Sequence, residues 1–179
     1  MISTHSPDPV REPKAYQDFL VSLVGKDDPA EVQAATPGRI RELLSRAGGR
    51  ADTRPADGEW SVLECIAHIG DAELVASGRY RWILAHDEPA LIGYDQDLWA
   101  ERLRYAASDV AGSLQTWSAL RRADLRLLDG ASEADFARVG VHAERGEETV
   151  AHMVRMFAGH DLMHLRQLER IRRAVTLEA

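Results

Sequence analysis

The sequence predicts an all-α protein built as a four-helix bundle, on three observations. Apolar residues recur at three- and four-residue spacing through long segments of the chain. No stretch alternates apolar and polar residues in the manner of a strand. The helical segments are separated by loops of very different lengths, which calls for a bundle with at least one long crossover. With 179 residues, 45% hydrophobic and 28% charged, the chain suits one soluble domain with a core that needs no disulfide.

Residues 1–13, with three prolines among Ser, Asp and His, read as a flexible tail ahead of a bundle domain over 14–176. Lys14 to Val24 is a short extra N-terminal helix, followed by a turn at Gly25 to Pro29. Thr36-Pro37 has the form of an N-cap followed by proline at the first helical position, so a helix is expected from there to about Ala47, with Gly48-Gly49 stopping it. Ser61-Val62-Leu63-Glu64 has the Ser-x-x-Glu pattern of a capping box and opens a long helix over about Val62 to His86, which Pro89 closes. Asp95 to Glu101 forms a short turn of helix presenting Trp99. Ser108 is the expected N-cap of a third long helix ending near Gly130. Ser132 to Phe136 reads as another helical turn, Arg138 to Gly146 as an irregular linker, and Glu147 to Val175 as the last long helix.

The net charge of −7 argues against nucleic acid or an anionic membrane as partner. One cysteine, Cys65, excludes an intramolecular disulfide and any Cys-rich zinc module. With no apolar signal core and no run approaching a membrane span, a cytoplasmic location is the default expectation.

The chemistry concentrates in His160 and His164. Four residues apart on one helix, they project from one face with the spacing needed to grip a metal ion. Chance places roughly 0.3 such pairs in a chain with this many histidines, so a third ligand decides the matter. His152 lies eight residues before His160, a rise of about 12 Å, too far to converge on the same ion. His5 sits in the tail, His86 at a frayed helix end, and His142 in the linker. His68 lies mid-helix between Ile66-Ala67 and Ile69, where an inward imidazole needs a hydrogen-bonding partner or a metal. It is the favoured third ligand, giving a three-histidine site with an open position, as catalytic sites have.

Two stretches carry a family resemblance. Arg54-Pro55 through Glu59-Trp60-Ser61-Val62-Leu63-Glu64, then His68, Glu73 and Arg79, resembles the second-helix signature of DinB/YfiT-like proteins. Gly146-Glu147-Glu148-Thr149 through His160-Asp161-x-x-His164-Leu165-x-Gln167 resembles their fourth-helix signature. The resemblance spans about Thr36 to Arg173 and implies an up-down-down-up four-helix bundle. It also implies a metal site of His68, His160 and His164 taking a divalent ion, zinc or nickel first, with iron or manganese as alternatives. Relatives that act as transferases and isomerases with low-molecular-weight thiols make a thiol-dependent S-transferase or isomerase the leading expectation. A metal-dependent hydrolase and a non-enzymatic metal-binding or dimerising stress protein are the alternatives.

Around the site, Glu64, Asp71 and Asp161 are candidates to orient the imidazoles, although Glu64 is also explained as a cap and Asp71 as part of a solvated face. Gln167 stays on the metal-facing stripe, and Cys65 reads as a small buried residue in preference to a soft ligand. Trp60 is expected to plug the end of the bundle, Trp82 to pack between helices, and Trp99 to shape the mouth of a pocket. Met153 and Met156 read as core filler. The expected partner is a small-molecule substrate, with a low-molecular-weight thiol as a candidate, and a homodimer through exposed helix faces is expected. No catalytic acid or base is identifiable.

Overall fold

The computed structural model describes residues 6–46 and 50–177. His5, the helix end near Ala47 and the stop at Gly48-Gly49 lie outside the described residues. The elements are α1 (Pro13–Val24), α2 (Pro29–Ser45), α3 (Val62–Ala85), β1 (Ala90–Leu91), α4 (Gln96–Arg102), α5 (Val110–Asp129), α6 (Glu133–Phe136), β2 (Val139–His142), β3 (Gly146–Thr149) and α7 (Val150–Leu177). No helix among the described residues is long and apolar enough to cross a membrane.

The bundle consists of α2, α3, α5 and α7, and side-chain contacts fix its directions. Gln33 donates to the Val154 carbonyl and Arg50 to that of Val175, so α2 and α7 run parallel. Glu73 meets Arg121 and Ser77 meets Asp124, so α3 and α5 are also parallel. His68 meets His160 while Cys65 meets Gln167, so α3 and α7 are antiparallel. The order is up-down-down-up. Two parallel neighbours, α3 and α5, cannot be joined by a tight turn, and the segment carrying β1 and α4 is the crossover.

Local chemistry explains the helix starts. Ser61 Oγ accepts from Glu64 N at 3.2 Å while the Glu64 carboxylate accepts from Ser61 N at 2.8 Å, the reciprocal capping box of α3. Helix α2 begins eight residues before the expected Thr36-Pro37 start. Asp28 accepts from Ala30 N and Glu31 N with Pro29 in the first turn, the same signature met earlier in the chain. Pro37 therefore lies inside the helix, where it lacks the N–H that the Gln33 carbonyl would have accepted. Arg121 Nη1 donates to that carbonyl at 2.9 Å instead. The N-cap of α5 is Asp109, accepting from Ala111 N, one residue beyond the expected Ser108.

The expected irregular linker is ordered. Strand β2 pairs parallel with β1 and antiparallel with β3, in the order β1-β2-β3, with Val139 opposite Thr149 and His142 opposite Gly146. Gly146 makes the turn in the left-handed region at φ 81°. Gly140 lets the sheet close on α3, since a Cβ there would lie 2.8 Å from Ile83 Cγ1. Residues 147–149 are thus strand, not helix, and α7 starts at Val150, with Thr149 Oγ1 accepting from His152 N.

Among the described residues the core has two apolar clusters. One holds Leu20, Ala76, Tyr80, Ile83, Leu128 and Phe157, the other Val62, Ile66, Ile69, Trp117, Leu168 and Ile171. At the change-over on α3, α5 and α7 the inward residues are Glu73, Arg121 and Asp161, all buried. Arg121 Nε and Nη2 donate to Glu73 at 2.7 and 2.6 Å, and Nη1 and Nη2 to Asp161 at 2.5 and 3.1 Å. With the Gln33 carbonyl included, one guanidinium touches α2, α3 and α7 from α5. Burial works against its charge, but Asp161 and Glu73 hold its pKa well above the ordinary value. Short α1 lies antiparallel on α7 outside the bundle. Its backbone at Leu20 crosses Gly159, where a Cβ would fall 1.9 Å from the Leu20 carbonyl oxygen.

Candidate metal centre

Beside the Arg121 layer, α3 and α7 bring His68, His160 and His164 together. Their relative exposures are 1%, 8% and 0%, and one ring nitrogen from each lies within 4.8 Å of the others. His160 Nε2 is 3.2 Å from His68 Nε2 and 3.0 Å from His164 Nε2. Nitrogens bound tetrahedrally at about 2.0–2.1 Å from one ion stand about 3.3–3.4 Å apart, so small ring adjustments suffice for a shared ion.

The protonation states suit ligands. Burial lowers the pKa of His68, with His164 adding to the effect. Burial does the same for His160, helped by His164, His68 and Arg121. For His164 burial outweighs the hydrogen bond to Gln167 and brings the value down to about 4. All three are neutral at pH 7, with lone pairs available. Gln167 Oε1 lies 2.8 Å from His164 Nδ1. An amide oxygen only accepts, so it holds the proton on Nδ1 and leaves Nε2 bare toward its two neighbours.

The other expected orienting groups are engaged elsewhere. Glu64 caps α3 and pairs with Arg54. Asp161 binds Arg121, and Asp71 accepts from the Tyr105 hydroxyl at 2.7 Å. His68 Nδ1 is buried without a hydrogen-bond partner among the described residues. Trp60, buried just before the N-cap of α3, packs on His68, ring centroids 5.1 Å apart. Cys65 is buried behind His164, its Sγ 3.5 Å from Nδ1, which is the side away from the other histidines. Burial pushes its thiol pKa up. His142 is buried in β2, with Nδ1 accepting from Glu144 N and no contact with the three histidines. His152 and His86 lie elsewhere on α7 and at the end of α3.

His68 and His160 form part of the wall of a cavity of about 210 Å³. Tyr16 and Gln17 of α1, Arg79 of α3, Tyr94 of the crossover and Arg145 of the β2–β3 turn line it as well. Trp99 is not in the wall: its ring stacks on Tyr94 at 4.4 Å and backs the residue that is. Trp82 is 45% exposed, lying against Gly78 rather than between helices. Sequence reasoning passed over Tyr94 and Arg145, which lie outside the bundle helices. Arg79 carried a readable signal, because eleven residues at 100° each bring it within 20° of His68 on the face of α3.

The YfiT protein of Bacillus subtilis (strain 168), named "Putative metal-dependent hydrolase YfiT", is 24% identical over 175 residues, 95% of this chain and 97% of that protein. A Bacillus pumilus (strain SAFR-032) protein, named "Putative metal-dependent hydrolase", is 31% identical over 115 residues, 64% of this chain and 65% of that one. The solved structure of Bacillus subtilis YfiT, described as having an unusual four-helix bundle topology, shares the fold with a TM-score of 0.75 at 20% identity, covering 98% of this chain and 94% of YfiT. The sequence profile of the DinB superfamily matches residues 31–168, a span that includes all three clustered histidines, and the chain belongs to that superfamily.

Proposed function

We propose that His68, His160 and His164 hold a divalent metal ion through Nε2 and that the protein is a metal-dependent hydrolase of small substrates. The observation that carries this reading is the convergence of three buried, neutral imidazoles, two of which, His68 and His160, line a cavity. Three imidazoles suit zinc or nickel, and three protein ligands leave a position for substrate or water. Such an ion supplies Lewis acidity and lowers the pKa of water toward neutrality. The protein's part is to keep the imidazoles neutral through burial, to hold the His164 proton on Nδ1 through Gln167, and to exclude bulk water with Trp60 and Phe157 packed on the His68 and His160 rings.

The names of the relatives support hydrolysis. The test is metal analysis of the wild type beside His68→Ala and His164→Ala, with melting curves as fold controls. We expect about one equivalent of zinc or nickel in the wild type and a loss in both variants. Full occupancy and affinity in His68→Ala would overturn the three-histidine site. Titration of the loaded protein with glutathione-type thiols separates the two chemistries: a change in coordination on thiol addition would return the reading to thiol transfer.

A further inference from the structure

We propose that the cavity takes a small substrate bearing a carboxylate and that Arg79 is the residue that binds it. The placement of the reacting end beside His68 and His160 rests on the metal reading above; the anion subsite stands on its own residues.

Two arginines are buried in the described structure, Arg79 at 3% exposure and Arg121 at 2%. They differ in one respect. Arg121 is balanced within the fold by Glu73 and Asp161. Arg79 has no carboxylate within ion-pair distance among the described residues: Nη2 donates to the Ile92 carbonyl at 2.6 Å, and Nε is buried without a partner. Glu148, which acts on Arg79 through space, is held by Arg145 at 2.6 and 3.1 Å and accepts from Gln17 as well. Asp95 and Glu144, also in the cavity wall, are exposed to solvent. Burying a cation without a counter-ion is costly, so an anionic ligand that reached Arg79 would offset that cost.

The class of ligand follows. A guanidinium is a planar fork matched to a planar carboxylate. A single unpaired cation in a cavity of this volume suits a monoanion better than a phosphate dianion. Arg79 and His68 share one face of α3 about three turns apart. An elongated substrate can therefore set its carboxylate on Arg79 while its reacting bond faces the histidines.

The experiment is calorimetric titration of the full chain with acetate, butyrate, hexanoate and inorganic phosphate. It is run chelator-treated and zinc-loaded, on the wild type, Arg79→Gln and Arg79→Lys, with zinc affinity measured separately. We expect a carboxylate of intermediate length to bind the chelator-treated wild type, weakened at least tenfold in Arg79→Gln and less in Arg79→Lys, with zinc affinity unchanged. Arg79→Gln should also be at least as stable as the wild type, because an uncompensated buried charge is removed; a purely structural clamp on Ile92 predicts a loss instead. Should Arg79→Gln not fold, Arg79→Lys decides through its loss of the fork. Equal carboxylate binding by wild type and variants, or phosphate binding as tightly as every carboxylate, would overturn the proposal. Carboxylate binding that needs zinc and ignores Arg79 would overturn it too. A wild type that takes no zinc yet loses carboxylate binding with Arg79 would sink the metal reading and leave the anion subsite standing.

Discussion

Replacing Gly159 with alanine tests how α1 is attached and whether the site depends on it. The added Cβ would lie 1.9 Å from the Leu20 carbonyl oxygen and 2.5 Å from its carbon, where ordinary contact begins at 3.4 Å. Both atoms are backbone, so no side-chain rotation relieves the overlap, and α1 must move by about 1.5 Å or leave. Moving away exposes Leu20 and Val24, now 2% and 1% exposed. At about 1.5–3 kcal/mol each, their burial sets a ceiling of about 3–6 kcal/mol on the loss. Alanine returns about 1 kcal/mol through its higher helix propensity. The net expectation is a destabilisation of about 2–5 kcal/mol, read as a urea midpoint lower by about 1 M or more in helical circular dichroism. Limited proteolysis should cut first within α1, and the cavity wall contributed by Tyr16, Gln17 and Leu20 should loosen with it. A Gly159→Ala protein as stable as the wild type, or more stable by about 1 kcal/mol, would show that α1 does not lie against α7 in this way.

Two further outcomes follow from buried polar contacts. Gln167→Leu removes the acceptor for His164 Nδ1 and should lower zinc affinity by about 10- to 100-fold while the bundle stays folded; unchanged affinity would show that the amide does not orient the imidazole. Arg121→Met strands Glu73 and Asp161 and should cost about 3–5 kcal/mol at pH 7. Burial already raises the pKa of Glu73 against the pull of Arg121, and without the guanidinium it rises further. A carboxyl with a raised folded-state pKa contributes stability below its unfolded value that is lost as pH rises, so the deficit should shrink from pH 7 toward pH 4. Chemical denaturation across that range checks it, and a deficit that grows on acidification would refute the assignment.

What could be read from the sequence was local. The Ser61 box, the helical stripe of α7 and the inward position of His68 all rest on spacing within one segment, and the structure places them as expected. The start of α2 was misread because Asp28-Pro29 and Thr36-Pro37 spell the same signal. Only tertiary context, with Arg121 waiting for the Gln33 carbonyl, shows that the second proline sits inside the helix. Strands of two to four residues are too short to display a period, so the sheet was invisible. Glu73, Arg121 and Asp161 each resemble a solvated charge on a helix, and their mutual neutralisation depends on three helices meeting. Glu64 and Asp161 looked available to the imidazoles for the same reason: adjacency along the chain says nothing about which way a carboxylate turns.

The layer around Arg121 also bears on how such a protein can diversify. Its contacts are confined to the four bundle helices and lock the backbone within a turn of His160 and His164. Tyr94 and Arg145, in contrast, reach the cavity from the crossover and the β2–β3 turn, segments that can lengthen or change composition without entering that layer. The three clustered histidines and Arg79 thus sit on the bundle helices, while other parts of the cavity wall can change on segments that leave the helices undisturbed.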